Sequence, residues 1–419
     1  MTKLILSERA ARIGIAPNAA AKARAQALAA SGRTVVELTS GEPDFDTPEW
    51  IKQAAIAALA AGETKYTAQA GTLDLRNAIS DKLARENGLT YPAEQIIASN
   101  GGKHVIYNAF AATLRSGDEV IVPAPFWQSF PAMVSINDGT PVQVAGLRED
   151  DYKLTPARLE AAITPRTRWL ILNSPSNPSG AVYGAEELSG LAAVLRRHPH
   201  VWILLDEIYE HIRFDDGSRE HWLTLAPDLT DRTLIVNGGS KPFAMTGWRI
   251  GYGAGPVELI RAMTIVQSQS TSAPSSVGQA ALAAALRGDQ RFVRESVEAY
   301  RERRDLLLDA LVNIEGLSCV APQGAFFAFV DCSALIGSTT ASGRQILSDT
   351  DFVEYLLYDH GLAVVDGTSF GVPDHFRLSF VAERGALVEG ARRLAAAVAA
   401  LTRRHAVARS SETPLTEAV

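Results

Sequence analysis

Four groups of polar residues each follow directly on a short apolar run. Ser99-Asn-Gly-Gly-Lys103 follows Ile96–Ala98, and Asn173-Ser-Pro-Ser-Asn177-Pro-Ser-Gly180 follows Trp169–Leu172. Asp206-Glu-Ile-Tyr209 follows Trp202–Leu205, and Asn237-Gly-Gly-Ser-Lys241 follows Leu234–Val236, with Arg249 eight residues beyond the lysine. Glycines that open a helix leave free backbone N–H groups and a helix dipole aimed at an anion, which suits a phosphate. An acid at a buried strand end stays ionised only where a cation meets it. A lysine crowded into the same crevice by other positive charge has a lowered pKa and attacks carbonyls as an amine. A phosphate cradle, an acid, a phenol and a lysine fit the needs of pyridoxal 5′-phosphate: a Schiff-base partner, an acid for the pyridinium nitrogen, donors to the ring oxygen and phosphate contacts.

The elements that position these groups alternate. Strand-length runs are read at Ile96–Ala98, Val120–Val122, Pro141–Val144, Trp169–Leu172, Trp202–Leu205, Leu234–Val236 and Ile250–Gly253. Helical stretches lie between them at Lys103–Leu114, Trp127–Asn137, Ala185–Arg197 and Val257–Ser268. Such alternation predicts βαβ units and a mostly parallel sheet covered on both faces, with ligands at the carboxyl ends of its strands. Beyond the charged amphipathic stretch Arg291–Asn313 the pattern changes to short strands (Phe326–Val330, Ala363–Val365, Phe376–Phe380) and two helices (Thr350–His360, Gly385–Leu401), which marks a second, smaller domain. The tail 403–419, rich in Ser, Thr and charge, is expected to be disordered.

Composition narrows the function classes. The chain has 419 residues, 47% hydrophobic and 21% charged, so it needs no disulfide or zinc staple to build a core. A net charge of -7 gives no electrostatic footprint for nucleic acid or an anionic membrane, which leaves small molecules as partners. Cys319 and Cys332 do not have metal-ligand spacing and are read as reduced core residues of a cytoplasmic protein. The apolar stretch near the N-terminus is too short for a signal segment, and no run approaches the roughly 20 residues of a bilayer span.

Three motifs invite other readings. Gly367-Thr-Ser369-Phe-Gly371 matches the nucleophile elbow of serine hydrolases, but turn and strand residues follow it where a helix is required. Gly251-Tyr-Gly253-Ala-Gly255 has the wrong spacing for a dinucleotide fingerprint. Glu207 and His211 are four apart, yet no third metal ligand accompanies them, and they read as a solvated or capped pair.

Several segments together resemble the class I aminotransferases, and within them the bacterial aspartate aminotransferase branch. They are Gly41-Glu-Pro-Asp-Phe-Asp-Thr-Pro48, Lys65-Tyr-Thr with Gly71, Asn173–Gly180, Asp206–Tyr209, Asn237–Tyr252 with its Ala-Met-Thr-Gly-Trp-Arg-Ile-Gly-Tyr run, Gly324-Ala-Phe-Phe and Arg377-Leu-Ser-Phe. The resemblance implies the fold type I α/β architecture: a large cofactor-binding domain over 47–300 with a mostly parallel sheet sandwiched by helices, and a smaller α+β domain from 1–46 and 301–402. It implies that Lys241 forms the Schiff base and shuttles the Cα proton. Asp206 holds the pyridine nitrogen protonated, Tyr209 and Asn177 donate to the ring oxygen, and Trp127 stacks on the ring. Gly102, Lys103, Ser240 and Arg249 surround the phosphate. Arg377 clamps the substrate α-carboxylate with help from backbone at Gly41, and Asn177 and Trp127 also border the substrate. Lys103 is the candidate for a distal carboxylate, and Tyr66 reaches the phosphate of a neighbouring subunit, so a homodimer with shared active sites is expected.

The implied reaction moves an amino group from L-aspartate to 2-oxoglutarate by a ping-pong exchange, with amino acids and 2-oxo acids as partners. An aromatic or broad-specificity aminotransferase is the alternative, and a β-lyase or a ligand-sensing regulator of the same fold stands further off. Three departures bear on specificity: Phe126 before Trp127, Asp366 before Gly367, and Pro17-Asn18-Ala19-Ala20 where some relatives carry Ser or Thr.

Overall fold

Val, Ile and Leu dominate the central runs without polar alternation, and such strands are stable only when both faces are covered. The computed structural model describes residues 6–215, 217 and 220–402. Its strands are β1 (Val36–Glu37), β2 (Ile96–Ser99), β3 (Glu119–Ala124), β4 (Thr140–Ala145), β5 (Thr167–Asn173), β6 (Trp202–Asp206), β7 (Thr233–Gly238) and β8 (Gly251–Ala254). Toward the C-terminus come β9 (Ser318–Cys319), β10 (Phe327–Asp331), β11 (Leu362–Ala363), β12 (Val365–Asp366) and β13 (His375–Ser379).

Seven strands form one sheet in the order β2-β8-β7-β6-β5-β3-β4, in which β8 alone runs against its neighbours. Side chains alternate faces along each strand. Ile96, Ile121, Leu170, Ile203 and Ile235 therefore pack into one apolar cluster, while Ile97, Val120, Trp169, Leu204 and Leu234 pack into another. Helices cover both, and each of the seven strands read from the sequence is present.

A second sheet, β12-β13-β10-β9, is antiparallel throughout, and β1 pairs with β11 in parallel. The long helix Arg291–Leu311 presents Val293, Tyr300, Leu307 and Leu311 inward. The single strand expected over Ala363–Val365 is instead two: the chain leaves β1 at Ala363 and joins β13 at Val365, so the run serves two pairings. After it, Thr368–Phe370 forms one 3-10 turn, and the Ser369 hydroxyl donates to Asp366 Oδ1 at 2.8 Å rather than standing free as a nucleophile.

The helices Pro17–Ala30, Glu49–Ala60, Leu73–Asn87 and Ser276–Arg287 had no counterpart among the expected elements. Three of the four are rich in alanine, which forms helix well but draws no clear apolar stripe. Both cysteines are free, and burial pushes the Cys319 thiol up to about 12. Among the described residues no helix is long and apolar enough to cross a membrane. The tail 403–419 lies outside the described residues.

Candidate active site

Parallel strands deliver their carboxyl ends to one edge of the sheet. Asn173 at the end of β5 faces Asp206 at the end of β6, and Asp206 faces Val236 one residue before Asn237 on β7. A cleft of about 440 Å³ opens there, lined by Gly41, Gly102, Lys103, Trp127, Asn177, Asp206, Tyr209, Ser240, Lys241 and Arg249. Four separate sequence segments thus meet where the sequence placed the chemistry.

One end of the cleft is built for an anion. The helix Gly102–Thr113 begins there, and Gly101 before it takes φ +87°, open to glycine alone without strain. A Cβ on Gly101 would also lie 2.6 Å from an Arg249 guanidinium nitrogen, and one on Gly251 of β8 would lie 2.5 Å from the Gly102 nitrogen. Glycine at both places lets the turn, the arginine and the helix start close together. Ser240 is buried at this end, and Lys103 stands exposed at the rim with its Nζ 4.9 Å from the Trp127 ring centre. Partial burial, then the Arg249 cation, lowers the Lys103 pKa.

Beside it stand an acid and an amine of unusual poise. Burial raises the Asp206 carboxyl to about 7, opposed by a 3.2 Å bond from the Ile208 N–H. Burial likewise brings the Lys241 amine down to about 8, with Glu42 resisting and Arg249 assisting. Lys241 Nζ donates to the Gly41 carbonyl at 2.6 Å and lies 5.9 Å from the Tyr209 ring centre. The Tyr209 phenol is 4% exposed and burial holds it protonated. An amine with this pKa has a substantial neutral fraction near neutrality, as attack on a carbonyl requires.

Arg377 on β13 is fully buried behind the cleft wall. Its NH1 donates to Asn177 Oδ1 at 2.9 Å, and NH2 to Thr39 O at 2.7 Å and Asn18 Oδ1 at 3.3 Å. Its guanidinium lies over Phe327, 4.2 Å from the ring centre, and among the described residues Nε has no hydrogen-bond partner. Burial brings its pKa down to about 10. Asn18 and Asn177 line the cleft while Arg377 itself does not.

Among the described residues, Lys103, Lys241, Arg249 and Arg377 all lack a carboxylate within ion-pair distance. Three such cations lining one crevice and a fourth behind its wall, with glycine turns that a Cβ would block, fit a phosphorylated ring cofactor and a carboxylate-bearing substrate.

Tyr66 is not brought to this cleft. It is 96% exposed and lies apart from the lining residues. Glu207 and His211 do not pair with each other, because residues 207–211 form a turn rather than a helix: Glu207 meets His221 at 2.8 Å and His211 meets Glu86 at 2.9 Å. Both border a neighbouring cavity of about 510 Å³ whose lining contains no lysine.

Three residues with a part in the site escaped the sequence reading. Glu42 contacts the Thr246 hydroxyl across the cleft mouth, Asn173 bonds both Asp206 and Asn177, and Asn18 reaches Arg377. All three stood in segments already singled out, Glu42 in Gly41–Pro48; their partners did not follow from spacing.

The sequence profile for aminotransferases of class I and II matches residues 33–394. An aspartate aminotransferase of Rhizobium meliloti (strain 1021) is 50% identical over 391 residues, 93% of this chain and 95% of that one. An aspartate/prephenate aminotransferase of Cereibacter sphaeroides is 50% identical over 397 residues, covering 95% and 99%. The crystal structure of the aspartate aminotransferase from Rhizobium meliloti superimposes with a TM-score of 0.93 at 49% identity, over 96% of this chain and 100% of that one. The enzyme from Thermus thermophilus with maleate gives a TM-score of 0.87 at 42% identity, over 94% and 100%.

Proposed function

The chain belongs to the class I and II aminotransferases, pyridoxal 5′-phosphate enzymes, and on that premise we propose that it transfers the amino group of L-aspartate to 2-oxoglutarate in a ping-pong exchange. The observation that carries this reading is the set of unpaired cations around one poised lysine and one poised acid. When bound, the cofactor supplies an electron sink that acidifies the substrate Cα–H.

The chain's own residues have distinct tasks. Lys241 would hold the cofactor and, once released, carry the proton to and from the substrate Cα; its lowered pKa suits both. Asp206 would keep a proton on the ring nitrogen, and that partner would in turn stabilise the buried carboxylate. Tyr209 and Asn177 would donate to the ring oxygen, and Trp127 would cover the ring and exclude water. The Gly102 amide, the Lys103 backbone N–H, Ser240 and Arg249 would hold the phosphate, leaving the Lys103 ammonium free. Arg377, backed by Asn177 and with backbone at Gly41, would clamp the α-carboxylate in a bidentate fork. Lys103 would meet the distal carboxylate of a dicarboxylic substrate. Phe126, the residue that could favour aromatic donors, is 6% exposed and packs toward Gly371 instead of the cleft, so it lends that alternative no support.

The active unit is proposed to be a cytoplasmic homodimer in which the exposed Tyr66 completes the partner's phosphate site. The division into a small domain (1–46 with 301–402) and a large one (47–300) is supported by β1 pairing with β11, which ties the N-terminal segment to the C-terminal part. The test is a panel of amino acids added singly to the holoenzyme, with the cofactor absorbance followed through the first half-reaction. Aspartate should convert it fastest and 2-oxoglutarate should reverse it; preference for phenylalanine would overturn the assignment.

A further inference from the structure

We infer that Asn173 is a positioning residue, which sets affinity for the substrate carboxylate by fixing Asn177 and, through it, Arg377. The inference rests on the reading that Arg377 and Asn177 hold that carboxylate. Asn173 ends β5 directly opposite Asp206 in the sheet register. Its Nδ2 donates to the Asp206 carbonyl at 2.9 Å, and its Oδ1 accepts from the Asn177 N–H at 2.9 Å. Asn177 Oδ1 in turn accepts from Arg377 NH1 at 2.9 Å. Three hydrogen bonds therefore run from the strand that carries the acid, through Asn173 and then Asn177, to the arginine on the other sheet.

The residue type is demanding. An amide of this length presents a donor and an acceptor in one plane; an aspartate could not donate to a carbonyl, and a leucine could do neither. The two arms are also unequal. The Asp206 carbonyl has a second donor, the Ser174 N–H at 3.3 Å, so the acid's strand keeps a partner when Asn173 is removed. The Asn177 N–H has no such reserve among the described hydrogen bonds. Loss of Asn173 should free the Asn177 arm first, and small displacements of a substrate-positioning group weaken binding steeply.

The experiment titrates the holoenzyme with maleate, a dicarboxylate that cannot react, and reads dissociation constants from the cofactor absorbance. Asn173→Ala should weaken maleate by about tenfold and raise KM for aspartate by a similar factor, with kcat and Tm changing little. In an Asn177→Ala background the same substitution should add less than about twofold, because the tethered backbone then carries no side-chain amide to set against Arg377. Asn173→Asp, which keeps the acceptor for Asn177, should bind maleate more tightly than Asn173→Ala. Unchanged maleate affinity in Asn173→Ala while Asn177→Ala loses it, or full additivity in the double variant, would overturn the inference and leave the carboxylate reading standing. If Asn177→Ala itself left affinity intact, the carboxylate reading would fail and the tether with it.

Discussion

Lys82 and Lys241 both sit beside acids at the carboxyl edge of the same sheet, and their surroundings push them in opposite directions. Lys82, 1% exposed, donates to Glu210 at 2.5 Å and to Asn87 at 2.9 Å, and Glu210 also accepts from Asn87 and Asn237. Burial, the largest single influence, would lower the Lys82 pKa, but Glu210, Tyr252 and Glu86 together outweigh it and hold the amine above its ordinary value. The same contacts keep Glu210 ionised well below the carboxylate range despite burial. Among the described residues Lys241 has only a backbone carbonyl as hydrogen-bond partner, its amine falls to about 8, and Asp206 nearby rises to about 7. An acid in hydrogen-bond contact fixes a buried charge, whereas an acid kept out of contact leaves both groups free to change protonation. The first arrangement is structural; the second is reactive.

The largest effect expected from this contrast follows Lys241→Ala. Transamination should fall by at least about ten-thousand-fold, since the cofactor's covalent partner and the proton carrier are one residue. The folded state should be no less stable than before, because the lysine's burial was unfavourable to begin with. Borohydride should fix the cofactor of the native enzyme to Lys241; label on another lysine would break the assignment.

Lys82→Ala should do the reverse. Removing Lys82 leaves the mostly buried Glu210 with only Asn87 and Asn237 to hold its charge and should cost up to about 3 kcal/mol of stability. Activity per folded molecule should survive, and Lys82→Ala combined with Glu210→Gln should recover part of the loss. Denaturant unfolding beside single-turnover rates separates the two quantities. A Lys82→Ala protein that unfolds normally but has lost its chemistry would erase the distinction.

Protonation sharpens the contrast further in the cofactor-free protein. The Asp206 pKa is raised on folding, so its contribution is present below its unfolded value near 3.8 and is lost as pH rises toward about 7. The Lys241 pKa is depressed, so its contribution is present above about 10.5 and is lost as pH falls toward about 8. Stability should therefore pass through a trough between these values, at most about 3–4 kcal/mol deep on either side. Asp206→Asn should remove the acid limb of that trough. A flat profile in the wild-type protein would show that the two groups are not poised.

The reactive region was legible in the sequence because its groups follow directly on unbroken apolar runs: Asp206 after Trp202–Leu205, and Asn237–Lys241 after Leu234–Val236. The edge of a parallel sheet turns such positions into neighbours without further information. The structural region was not legible. Lys82 and Glu210 are 128 positions apart, and Lys82 lies on the polar-looking helix Leu73–Asn87, where a charge suggests solvent. Arg377 was found by resemblance to the family, but its complete burial and its hold on Asn18 and Asn177 depend on how two sheets meet, which no spacing encodes.

Lys103 offers the smallest and most discriminating test, because it belongs to neither class. It is exposed at the cleft rim, has no carboxylate within ion-pair distance among the described residues, and lies over the Trp127 ring. A cation at a helix N-terminus opposes the dipole, and Arg249 nearby adds to the repulsion. An anion delivered by the substrate would relieve both. The phosphate could take this role through the backbone N–H, leaving the ammonium for the distal carboxylate of aspartate. Lys103→Ala should then reduce kcat/KM for aspartate by about 1.5–3 kcal/mol of transition-state binding, the range for a hydrogen bond to a charged group, and leave the value for phenylalanine nearly unchanged. Equal losses for both donors would assign Lys103 to the phosphate instead, and a dicarboxylate preference would then have to rest on Arg249, the other cation of the cleft lining besides Lys241 among the described residues.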